Sequence, residues 1–297
     1  MILKRHGPLE VGFRPEDGGR LALLRYQGVD LVLPPDRVAG FYGDTFWPSP
    51  QSLFDWPPPS VLDAEPYEVL VDSPTALVMR SAPDPEYGLQ VRKRFALTDD
   101  AVSIDFTVWN TWDRPHAIAP WQITRTPRDG LLVWAPGEPF TDDDRLRKEA
   151  EDPGCWYVHS ASPRVLPELT RWHELAVIAA SDVPRKCKLF TDAHGWLAHV
   201  HDATLFLRTF PDLTSEQMAP RQAELELFFD PERDYLELEN QGPFQELASG
   251  GRLDYAVQWR FTGLDAHVPA DRVTPGLVDQ IQRLLAVSPP SNGTSCG

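Results

Sequence analysis

The chain has 297 residues, of which 42% are hydrophobic and ten are tryptophan, enough to bury a sizeable core in one large domain or two ordinary ones. Asp plus Glu number 44 against 28 Lys plus Arg, a net charge of −16 that repels phosphate backbones and anionic lipid. Nucleic acid and membrane surfaces are therefore not expected partners, whereas a neutral polyol is compatible with this charge.

The N-terminus, MILKRHGPLEVGF, lacks the apolar core of a secretory signal, and no run of about 18 apolar residues occurs. Cys155, Cys187 and Cys296 are far apart, odd in number and without CxxC spacing. That usage fits reduced thiols in a cytosolic protein, so a cytoplasmic location is expected. No motif for a cofactor appears, and none is expected. Oligomeric state is left open.

Period-two alternation opens the chain, with strands expected at 9–13, 20–26 and 30–33. Residues 43–59, GDTFWPSPQSLFDWPPP, follow, with two tryptophans, two phenylalanines, two aspartates, five prolines and no basic residue. Proline fixes φ and removes a backbone donor, so the segment reads as a stiff irregular loop, not a central strand or helix interior. Such a loop presents Trp47, Gln51 and Trp56 in set positions. Indole faces beside amide and carboxylate groups suit a ligand with apolar C–H faces and many hydroxyls, a sugar. The same tryptophans also suit a loop that caps the core.

Further strands are expected at 67–71, 76–81, 90–97 and 101–110, the last with Val102, Ile104, Phe106 and Val108 on one face. Strands at 117–124 and 131–134 come next. Within NTWDRPHAIAPWQIT, the residues Trp112, His116 and Trp121 either rim an open face or pack in the core. Residues 141–152 are charge-dense and read as a short exposed helix or a loop. Strands at 176–180, 188–191, 196–201 and 204–210 continue the pattern. His199 and His201 fall on one face of a strand, with His194 before them near a turn. Same-face histidines can hold a metal or shuttle a proton. No acidic or cysteine partner has diagnostic spacing, so polar residues on an open face explain them better and no metal is expected.

After a strand at 222–229 comes YLELENQGP, residues 235–243. Its alternation puts Tyr235, Glu237 and Glu239 on one face and Leu236 and Leu238 on the other, with Gly242-Pro243 ending the strand. Glu239 then sits near a strand end beside Gln241. Partial burial would raise its pKa toward neutrality and make it a proton acceptor; the plain alternative is a solvated edge carboxylate. A strand at 252–261 precedes the one clear helix, 275–286, with Thr274 as N-cap, Pro275 at the first position and a stripe of Leu277, Ile281, Leu284 and Leu285. Many strands and few helices predict an all-β fold of large packed antiparallel sheets. With no internal repeat or clear linker, residues 1–287 read as one domain and 288–297 as a flexible tail. No Gly-x-Ser-x-Gly elbow, phosphate-cradling Gly-rich loop or catalytic cysteine signature is present.

In order and spacing, four segments together resemble the galactose mutarotase-like superfamily, and more closely its DUF4380 branch: residues 7–32, residues 43–59, VWNTWDRPHAIAPWQIT, and YLELENQGPFQELASGG. The resemblance covers most of the chain. It implies a β-supersandwich whose hollow face holds a carbohydrate. In the mutarotases proper a glutamate takes the anomeric proton while a histidine protonates the ring oxygen. The family's Glu-x-Gln matches Glu239-Asn240-Gln241, which makes Glu239 the candidate base. Where the family's histidine is expected, this chain has Trp121, within Ala119-Pro120-Trp121-Gln122; the family's arginine and second histidine have no clear match.

Three functions fit these residues. One is a carbohydrate-binding protein in which Trp47, Trp56 and Trp121 stack on the sugar while Gln51, Glu239 and Gln241 fix hydroxyls. Another is an active aldose 1-epimerase that recruits His116, His194 or His201 as the acid opposite Glu239. The third is a module whose aromatic loop binds protein.

Overall fold

The structure, a computed structural model, describes residues 1–38, 40–137, 155–159 and 166–287. Chain order begins with β1 (Ile2–His6), β2 (Leu9–Arg14), β3 (Arg20–Tyr26), β4 (Val29–Asp30) and β5 (Asp44–Ser49). A one-turn helix, α1 (Ser60–Asp63), leads to β6 (Glu68–Ser73), β7 (Ala76–Arg80), β8 (Leu89–Leu97) and β9 (Ala101–Asn110). Next come β10 (His116–Pro127), β11 (Leu131–Trp134), β12 (Trp156–His159), β13 (Thr170–Trp172) and β14 (Leu175–Ala179). The remainder is β15 (Cys187–Thr191), β16 (Trp196–His201), β17 (Thr204–Thr209), β18 (Leu225–Asp230), β19 (Tyr235–Gln241), β20 (Gln245–Leu247), β21 (Arg252–Gly263) and α2 (Pro275–Leu285).

These strands make two large sheets. The first runs β1-β2-β3-β5-β10-β19-β18-β15-β12, with β4 beside β3 and β20 beside β10; the second runs β13-β14-β11-β16-β17-β21-β9-β8-β7-β6. Pairing is antiparallel except between β12 and β15. The protein is an all-β sandwich.

Alternation decides which faces meet. Ile104, Phe106 and Val108 of β9 and Val257, Trp259 and Phe261 of β21 face Ile118 of β10, Leu227 and Phe229 of β18, and Leu236 and Leu238 of β19, all at most 3% exposed. A polar seam crosses this core. Arg208 of β17 donates to the Leu238 carbonyl (2.8 Å), to Gln122 Oε1 (3.1 Å) and to Asn240 Oδ1. Asp44 accepts from Thr124 Oγ1 at 2.6 Å and Gln122 Nε2 at 3.1 Å. Buried polar groups must find partners, and these bonds fix the first sheet's position over the second.

Helix α2 covers the outer face of the second sheet, where Leu277 and Ile281 pack on Val133, Ala198, Val200, Leu205 and Leu207. Its N-cap is as expected: Thr274 Oγ1 accepts from the Leu277 amide at 3.3 Å. None of the helices among the described residues is long and apolar enough to cross a membrane.

The expected loop at 43–59 needs correction. Its first half is β5, an inner strand between β3 and β10, and it contains Pro48. Pro48 lies opposite Pro120 of β10, while the neighbouring pair is Trp47 with Trp121. Two facing prolines cannot exchange N–H bonds, so they occupy a non-hydrogen-bonded pair, with their nitrogens turned away from each other. On the far side of Pro48, pairing with β3 has already ended at Leu21 and Asp44. No ladder bond is lost, which is why a proline is accepted there. Only from Pro50 does the chain become the irregular loop that was expected. The strand expected at 30–33 stops at Asp30, after which Leu31, Val32 and Leu33 run buried but unladdered. Residues 141–152, 288–297 and Cys296 lie outside the described residues.

Candidate sugar-binding cleft

A cleft of about 550 Å³ opens on the outer face of the first sheet. Odd-numbered positions of β5, β10 and β19 point into this face, because their even-numbered neighbours fill the sandwich. Strand order therefore dictates the layout. Trp47 (β5) and Trp121 (β10) stand on one flank, Tyr235 and Glu237 (β19) and Phe228 (β18) in the middle, and Lys188 and Phe190 (β15) with Tyr157 (β12) on the other.

The tryptophans touch. Trp47 meets Trp121 edge-to-face at 5.3 Å and Trp56 at 5.8 Å, while Trp56 lies parallel to Phe41 with ring centroids 6.5 Å apart. Trp47 is 5% exposed and Trp121 1%, so both are largely packed, and Trp56 is the open one at 58%. Trp47 is oriented from behind: its Nε1 donates to Asp63 Oδ1 at 2.9 Å, an oxygen that also accepts from Thr45 Oγ1 and Arg20. Burial opposes ionisation of Asp63, but Arg20, Arg125 and those donors outweigh it and hold its pKa below the usual range. Arg125 donates to Glu237 at 2.8 Å and sets its guanidinium over the Phe41 and Trp47 rings at 5.4 and 5.5 Å.

Glu239 lies beneath this surface with no exposure. Its Oε2 accepts from Trp121 Nε1 at 2.9 Å and from Lys188 Nζ at 3.0 Å, while its Oε1 is buried without a partner among the described residues. Lys188 also sits 2.7 Å from Glu226 Oε2. Two buried carboxyl groups thus share one ammonium, which can balance the charge of only one of them. Burial pushes the Glu239 pKa up, Lys188 opposes the shift, and Glu226 and Glu237 add to it. Lys188 stays protonated: burial works against its charge, but Glu226 and Glu239 together raise its pKa.

Of the expected site residues, Trp47, Gln51, Trp56 and Trp121 line this one cleft and Glu239 underlies it. Gln51 comes from the turn after β5, its Nε2 donating to the Asp55 carbonyl at 3.2 Å. Gln241 does not reach the surface. Its amide accepts from Ser49 and donates to Gln222 and Glu226, so it props the floor from behind. The three histidines are elsewhere. His201 pairs with Asp129 at 2.7 Å beside a separate hollow on the second sheet. His194 is exposed in the turn before β16 near Asp212, and His116 stacks on Trp112 at the start of β10. Sequence reasoning missed Lys188, Glu226 and the Arg125–Glu237 pair. The available signal was in the strand at 188–191, where a lone lysine alternates onto the same face as Phe190.

The family model for the domain of unknown function DUF4380 matches residues 36–262. The chain belongs to the DUF4380 family. The matched span contains every cleft residue and omits β1–β4 and α2. None of the curated proteins matches this DUF4380 chain. Solved structures do. A candidate aldose 1-epimerase from Escherichia coli K12 shares 15% identity with a TM-score of 0.57, over 88% of this chain and 98% of that one. A galactose mutarotase-like protein from Lactobacillus casei gives 12% and 0.60, over 88% and 100%. A galactose mutarotase related enzyme from Lactobacillus acidophilus gives 9% and 0.56, over 90% and 99%. At such identities the likeness shows a shared fold and nothing finer.

Proposed function

We propose that this DUF4380 protein binds a carbohydrate in the tryptophan-walled cleft. The observation that carries the proposal is the meeting of Trp47, Trp56 and Trp121, from two strands and a loop, over a floor of paired carboxylates and lysine. A cleft of about 550 Å³ is in the range of small-molecule sites. The open indole of Trp56 packs against the C–H face of a sugar with Trp47 and Trp121 behind it, while Gln51, Gln222, Glu237 and Lys188 offer donors and acceptors for its hydroxyls.

A second function, aldose epimerisation, rests on one specific observation: Lys188 Nζ lies 3.0 Å from Glu239. With Trp121 where the mutarotases are expected to have a histidine, Lys188 is the protonated group beside the candidate base. Its raised pKa makes it a reluctant proton donor, and Glu239 has no exposed surface, so binding is favoured over turnover.

Calorimetry against a panel of mono- and disaccharides tests the first proposal. Saturable binding of at least one sugar supports it; silence across the panel favours a protein partner for the aromatic loop. Polarimetry on freshly dissolved α-anomers tests the second. Any accelerated mutarotation should be lost in Glu239→Gln, and its survival there would remove Glu239 from the mechanism.

A further inference from the structure

Away from the cleft, three acidic side chains from three segments converge where the sequence offers no metal motif. Asp192 follows β15, Asp212 lies beyond β17, and Glu224 immediately precedes β18. One carboxylate oxygen from each falls within 4.8 Å of the others. Among the described residues none of the three makes an ion pair with lysine or arginine, and the one nearby basic group is His194, whose Nδ1 is 3.6 Å from Asp212.

Two features lift this group above an ordinary acidic patch. Glu224 has no exposure and is held rigidly, its Oε1 accepting from the Gly195 amide at 2.9 Å and its Oε2 from the Leu213 amide at 2.6 Å. Each carboxylate oxygen has a second lone pair left for another partner. Asp192 is 7% exposed, yet its Oδ1 is buried with no hydrogen-bond partner among the described residues. A carboxylate oxygen left bare in the interior beside two more carboxyl groups is costly unless a cation or a proton satisfies it.

We propose that Asp192, Asp212 and Glu224 form a calcium site. All three ligands are hard oxygens, and two calcium–oxygen bonds of about 2.3–2.6 Å reach across the 4.8 Å within which these oxygens lie, whereas magnesium keeps several waters and is usually held by only one or two carboxylates. Asp212 is exposed, so water completes the coordination from its side. The ion ties the β15–β16 turn, the exit of β17 and the entry to β18 into one unit. Glu226, which pairs with Lys188 beneath the cleft, is two residues along the same face of β18. The site stands whatever the cleft binds.

The test uses the full chain stripped with chelator, titrated with calcium chloride by calorimetry and by thermal unfolding. Wild type should show one saturable site and a melting point raised by about 3 °C or more. Asp212→Asn, at an exposed position where folding is not at stake, should weaken binding at least about tenfold and abolish the shift; Asp192→Asn should do the same. His194→Ala should keep calcium binding. The proposal is overturned by no response at about 10 mM calcium, above the weakest class of protein sites. It is equally overturned by an undiminished shift in Asp212→Asn, or by a preference for zinc that His194→Ala removes.

Discussion

Glu239 and Asp44 are both buried carboxylates, yet their surroundings assign them different work. Glu239 faces the cleft side and shares Lys188 with Glu226. Asp44 faces the sandwich interior, where burial pushes its pKa up to about 6 against Thr124, Arg208 and Gln122. A carboxyl raised in the fold binds its proton more tightly there than in the unfolded chain. Its contribution to stability is therefore complete below about pH 4 and lost as pH rises through about 6, a change of about 3 kcal/mol. His199 acts in the opposite sense. Burial lowers its pKa to about 4, so its contribution is complete above about pH 6.5 and is lost as pH falls toward 4. The two slopes offset each other in the wild type, so the test is a comparison. Urea unfolding of wild type and Asp44→Asn from about pH 4 to 7 should show the wild type losing about 2 kcal/mol relative to the variant. Parallel curves would mean that folding leaves the pKa of Asp44 unchanged. Little of this was legible beforehand, because Asp44 and Glu239 read alike until their strands are paired and their faces known.

Single strands explain less than pairs of strands do. Lys188 on β15 bridges carboxyl groups from β18 and β19, and so fastens three adjacent strands beneath the cleft. Removing one partner of a buried ion group costs more than the group contributes, because the others stay buried and unpaired. Lys188→Met should destabilise the protein by about 3–5 kcal/mol in chemical denaturation, and adding Glu226→Gln and Glu239→Gln should recover part of that loss. A loss under about 1 kcal/mol would place the ammonium in water. Alternation revealed most strands of the fold: those at 20–26, 101–110, 131–134 and 196–201 match β3, β9, β11 and β16 end to end. It failed at β5, where composition pointed to a loop. Pro48 is tolerated because of what lies beside it in the sheet, and pairing is not written in local sequence.

At the scale of the whole molecule, the −16 charge is not repeated in the cleft, whose lining sets Lys186, Lys188, Arg221 and Arg233 against Asp55 and Glu237. The family resemblance joined Trp47, Trp56 and Trp121 to Glu239, and the fold brings the three indoles together above it. Sequence reasoning also linked Glu239 with three histidines that the fold keeps apart from it: His201 is on β16 of the second sheet, His194 is in the turn before β16, and His116 stacks on Trp112 at the start of β10. Trp56 gives the cleanest handle on the site, being open to solvent and removable without emptying the core. Intrinsic fluorescence should be titrated with the sugar panel in wild type and in Trp56→Ala. A saturable change in wild type, weakened about tenfold in the variant with its melting point unchanged, is the expected outcome. Equal affinities in the two proteins, or no response to any sugar, would contradict carbohydrate binding at these indoles.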